Sequence, residues 1–107
     1  MITKSLQRIK GALLTVPDVT VYHYEALNQK APYIVWAEDG GNQLFAGNRM
    51  QEQSVTATVD LYTKAEYGIA PDEIQQAFDD AGIAWSLSAA AYEDDTRLVN
   101  YTWDVEV

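Results

Sequence analysis

Two stretches of strict two-residue alternation constrain this chain more than any other feature. From Val55 to Tyr62, the apolar Val55, Ala57, Val59 and Leu61 alternate with Thr56, Thr58, Asp60 and Tyr62. Toward the C-terminus, Val99, Tyr101, Trp103, Val105 and Val107 alternate with Asn100, Thr102, Asp104 and Glu106. Side chains on a strand point to opposite faces in turn, so each stretch has one apolar and one polar face. Such strands build a sheet with one wet face, which favours antiparallel pairing and helices packed on the other face.

Weaker signals supply the other elements. Residues 2–15 predict an amphipathic helix, with Ile2, Leu6, Ile9 and Leu13 as its stripe and Pro17 beyond its end. Val19–Tyr24 and Pro32–Trp36 are β-branched and aromatic, and both read as strands. Residues 38–52 turn polar around Gly40-Gly41-Asn42 and Gly47-Asn48, and they read as a loop. Pro71, Asp72 and Glu73 suit a helix start and Gly82 a helix stop, with Ile74, Ala77, Phe78 and Ala81 as the inner stripe. Residues 83–88 alternate again, and Glu93-Asp94-Asp95 punctuates before the closing strand. The predicted order is αβββαββ. This is one α+β domain over residues 1–107, a mainly antiparallel twisted sheet with two helices packed on one face.

Composition narrows the function. A chain of 107 residues, 48% apolar, has material for one core and not for two. It has no cysteine, so neither a disulfide framework nor a thiolate metal site can form. No apolar run is long enough for a membrane span, and the charged, periodic start does not read as a signal peptide. The expectation is a soluble protein acting in the cytoplasm. Seven basic against sixteen acidic residues give a net charge of −9, which repels phosphate backbones and argues against a nucleic-acid partner. Lys4, Arg8 and Lys10 precede every acidic residue, so a basic end and an acidic body could complement each other between copies.

Catalytic signals are poor. His23, the sole histidine, stands in a strand with no serine at a motif spacing, and with no cysteine a zinc site is not expected. Glu93–Asp95 lacks the alternating ligands and central glycine of a calcium loop. Asn100-Tyr101-Thr102 fits a glycosylation acceptor by pattern but lies inside a strand. No catalytic residue, cofactor or metal is expected. Within the polar stretch, Leu44, Phe45 and Met50 have no predicted element to bury them. Either they fold back on the core or they lie on an arm covered by a neighbouring subunit. Lys4 and Arg8, one turn apart and off the apolar stripe, are the candidate basic side of such a contact.

Taken in order, several pieces resemble the tail terminator or tail-completion proteins of long-tailed phages and prophages, also described as minor capsid or head–tail joining proteins. They are the N-terminal helix, Tyr22-His23-Tyr24, Pro32-Tyr33-Ile34-Val35-Trp36 and Leu44-Phe45-Ala46-Gly47-Asn48. Val59-Asp60-Leu61-Tyr62-Thr63, the helix Asp72–Ala81 ending in Gly82-Ile83, and Tyr101–Glu106 complete the match, which covers nearly the whole chain. The resemblance implies a structural, non-enzymatic protein. It would form a ring, usually hexameric, that caps the tail tube and meets the head connector. Partners would be further copies of itself, the tail-tube protein and the head–tail connector protein. Its place would be the host cytoplasm during assembly and then the tail end of the virion. One departure stands out: related chains often carry several lysines in the second helix, and Asp72–Asp80 has none. The competing expectation is a small cytoplasmic ligand-binding or enzyme-associated domain. Tyr33, Trp36 and Trp85 gathered around a deep pocket would favour it.

Overall fold

The computed structural model describes residues 2–26, 30–46 and 49–107, with the backbone alone described for 41–46 and 49–53. Helix α1 covers Ile2–Leu14. Its stripe engages the core only from the second turn, where Ile9, Ala12 and Leu13 are buried, followed by Val16. Ile2 is exposed and Leu6 half-buried, so the first turn of the predicted stripe faces outward.

Five strands follow the predicted order: β1 Thr20–His23, β2 Tyr33–Ala46, β3 Arg49–Thr63, then helix α2 Ala70–Asp80, β4 Ala84–Glu93 and β5 Leu98–Glu106. They form one sheet in the order β1-β2-β3-β5-β4. Three of the four pairings are antiparallel. The exception is β1, which runs parallel to β2 with Thr20 opposite Tyr33 and His23 opposite Trp36. The fold is therefore α+β with a mixed, mostly antiparallel sheet.

The predicted loop at 38–52 is corrected. β2 does not stop at Trp36 but continues to Ala46, paired with β3 from Arg49 onward. Glycines and polar residues have low strand propensity, but a continuous ladder to a partner strand overrides that preference. Leu44 stands opposite Glu52 and Phe45 opposite Met50 in this ladder. The side chains of Leu44, Phe45 and Met50 lie outside the described residues.

Both helices pack on the face that carries Ile34, Trp36, Ala57, Val59, Leu61, Trp103 and Val105. Ile9 and Leu13 from α1 join Ile74, Ala77 and Phe78 from α2 to close this core. Trp103 is fully buried at its centre, edge-on to Phe78 with centroids 6.2 Å apart. Its indole N–H donates to Gln75 Oε1 at 3.1 Å, which satisfies the polar atom that burial would otherwise strand. α2 ends as its sequence predicts. Gly82 adopts φ +69°; its N–H donates to the Asp79 carbonyl and the Ile83 N–H to that of Phe78, closing the helix.

Candidate functional site

The extra length of β2 and β3 creates the most distinctive feature of the molecule. β1 covers the outer side of β2 only as far as Trp36. β5 and the segment after it cover β3 only as far as Thr56 and Val55, where Val55 and Val107 exchange backbone hydrogen bonds at 2.9 Å. Beyond that level the two strands continue alone as a ribbon, Asn42–Ala46 against Arg49–Ser54. Six residues of strand reach about 20 Å. The molecule is correspondingly elongated, 52 × 25 × 23 Å.

The root of the ribbon is braced on both faces. The ladder slips between Glu38 and Gly40, leaving Asp39 as the extra residue of a bulge. A bulge bends its strand and increases the local twist, which sets the direction in which the ribbon leaves the sheet. Asp39 accepts hydrogen bonds from Thr56 Oγ1 at 2.9 Å and Thr58 Oγ1 at 2.5 Å, fixing the bulge to β3. Gly40 lies close against this pair, since a Cβ there would sit 3.2 Å from Thr56 Oγ1.

On the helix side, Trp36, His23 and Tyr24 form a stack with centroid separations of 3.9 and 3.7 Å. Glu38 closes the stack: Oε1 bonds to His23 Nε2 at 2.7 Å and Oε2 accepts from the Tyr24 hydroxyl. Partial burial works to raise the Glu38 carboxyl, but the hydrogen bonds from Tyr24 and His23 outweigh it and hold the group below its usual range. The same bond to Glu38 pushes the Tyr24 phenol up. Tyr24 sits at φ +74°, an uncommon conformation for a bulky residue, and one that accompanies this stack. His23 is therefore a partnered structural residue. The sequence carries a signal for this brace in Glu38-Asp39, directly before Gly40-Gly41.

Arg8 is not free, as its position off the stripe had implied. Its guanidinium donates to the carbonyls of Ala81 at 2.9 Å and Gly82 at 3.4 Å, just past the C-terminus of α2. α2 has no basic residue in its last turn and carries Asp79 and Asp80 there. Arg8 supplies from another helix the positive charge which that negative helix end lacks. Asp79 and Asp80 are engaged as well, accepting from Trp85 Nε1 at 2.8 Å and Gln76 Nε2 at 2.9 Å. Lys4 and Arg8 are both exposed on α1, one turn apart, with the Arg8 guanidinium turned to the end of α2.

The remaining candidates read as structure. Glu93–Asp95 forms the β4–β5 turn, where the Arg97 N–H donates to the Glu93 carbonyl at 2.8 Å and Thr96 Oγ1 donates to Glu93 Oε1 at 3.2 Å. Among the described residues, no three His, Asp or Glu side chains gather in a way that could hold a metal ion. Asn100 and Thr102 both donate to Asp60 across β3 and β5, at 3.4 and 2.5 Å. Tyr33, Trp36 and Trp85 do not share a pocket. Tyr33 stacks on Tyr62 on the open face of the sheet, whereas Trp36 is buried beneath the helices. Burial, and then the nearby Asp60 carboxylate, push the Tyr62 phenol up. No described helix is long and apolar enough to cross a membrane.

No known protein-family model matches the chain, and no curated protein matches it.

Proposed function

We propose that this protein is a structural assembly subunit of a phage or prophage tail, a tail terminator or head–tail joining protein that works as a ring. The observation that carries the reading is the ribbon of β2 and β3, which projects about 20 Å beyond the sheet from a braced root. A two-stranded ribbon has little stability alone in water, so a ribbon of this length is suited to meet a second surface. The ordered resemblance of the chain to tail-completion proteins supports the same role. Its partners are then further copies of itself, the tail-tube protein and the head connector.

The test is to replace Leu44 and Phe45, near the ribbon tip, with Asp. The variant is scored for folding by circular dichroism and for tail completion by its ability to rescue infectious particles. A folded variant that fails to complete tails supports the reading. A folded variant that completes tails normally removes the ribbon from the contact. An unfolded one assigns these residues to the monomer's own core.

A further inference from the structure

Among the described residues, the sheet ends in β4 on one side and in β1 on the other. β4, the last strand in the order, is paired among the described residues with β5 alone. Natural edge strands are usually kept short or interrupted by charge or proline, because their unpaired N–H and C=O groups recruit other strands. β4 has ten residues, eight of them exposed, with no proline and no charged side chain before Glu93. Its one blunting device is a bulge between Leu87 and Ala89. On the other side, β1 is a terminal strand of only four residues, and beyond Trp36, where it ends, the outer side of β2 is open among the described residues.

Charge singles out the same two segments. The longest runs of the sequence without Asp, Glu, Lys or Arg are residues 81–92 and residues 40–48. The first contains nearly all of β4 and the second the ribbon half of β2. Copies that each carry −9 repel one another, and these two segments can approach with the least added repulsion.

We infer that β4 of one copy pairs with residues 40–46 of β2 in a second copy, adding the ribbon to the neighbour's sheet. That the repeat builds a ring on a tail rests on the proposed function; the pairing itself rests on the two edges. β2 and β4 run antiparallel within the sheet, so a neighbour held in the same orientation meets β4 antiparallel. The registers Ala84↔Glu106, Glu106↔Thr56 and Thr56↔Gly40 put Ala84 level with Gly40, so the ribbon overhangs the end of β4. The neighbour is therefore shifted along the strands by about six residues, or roughly 20 Å. Two different surfaces meet, so the contact is heterologous, and it closes into a ring where the rotation from copy to copy allows. A two-fold β4–β4 dimer would leave both ribbons unpaired.

The chain has no cysteine, so introduced thiols report cleanly. Ala91→Cys and Asn42→Cys proteins are mixed at millimolar concentration and treated with a short bis-maleimide. The expected result is a mixed dimer well above either homodimer. Adding Leu87→Lys and Ala90→Lys to the Ala91→Cys copy should lower its yield by about tenfold through charge on the edge. A dominant Ala91→Cys homodimer, or no dimer above a denatured control, overturns the inference, as does a mixed yield unmoved by the lysines. Mixed cross-linking in a protein that does not complete tails removes the tail assignment and leaves the pairing. Tail completion without the mixed cross-link does the reverse.

Discussion

Replacing Trp103 with Ala should be the most damaging single change in the described core. Trp103 is fully buried, edge-on to Phe78, and held between Val59 on β3 and Leu87 on β4. Burying an aromatic of this size removes roughly 200 Å² from water, about 5 kcal/mol at 25 cal/mol/Å². The unfolded chain already hides part of that surface, which lowers the figure. Gln75, which accepts the indole N–H, is only half-buried, so it can turn to water and adds little. Large-to-small substitutions of buried aromatics cost about 3–5 kcal/mol, in line with this estimate. For a domain of this size that is a fall in melting temperature of roughly 15–30 °C. Urea titration followed by far-ultraviolet circular dichroism gives the free energy directly, and Trp103→Phe should lose much less. An unchanged midpoint for the alanine variant would refute both the facing of β5 and its place in the core.

Arg8→Ala should cost about 1 kcal/mol in a urea titration, because the α2 carbonyls lose a charged donor but remain open to water. Gly82→Ala should cost about 1 kcal/mol or somewhat more, since φ +69° strains any residue with a Cβ. Glu38, whose carboxyl is held below its usual range, contributes stability that is present above its unfolded pKa and lost as pH falls through the folded one. Glu38→Gln should therefore flatten the acid limb of the stability profile, modestly, because the carboxylate keeps contact with solvent.

The parts of the fold legible in the sequence are those where one periodicity and one boundary residue agree. β5 and β3 announced their faces through alternation, and Gly82 marked the end of α2 because the αL closure there favours glycine. The ribbon was not legible. Gly40, Gly41 and the polar residues around them carry turn chemistry, and only the ladder between β2 and β3 makes them strands. Arg8 illustrates a second limit. Its partners lie 73 and 74 residues away, and nothing local to α1 distinguishes a solvated arginine from one that closes another helix. The direction of β1 was hidden for a similar reason, since alternation fixes which face a side chain takes and not which way its neighbour runs. The sequence pattern groups Lys4, Arg8, Leu44, Phe45 and Met50 as one expected contact. Arg8 is committed within the monomer, whereas Leu44, Phe45 and Met50 belong to the strands of the ribbon.

The central claim is that this subunit assembles on the end of a tail tube. Electron microscopy of tails purified from cells with and without the gene tests it most directly. The account predicts a closed ring of density on one end of the tube when the protein is present, and its loss, together with loss of head attachment, when the gene is deleted. Tubes of identical ends and normal head attachment in both preparations would contradict it.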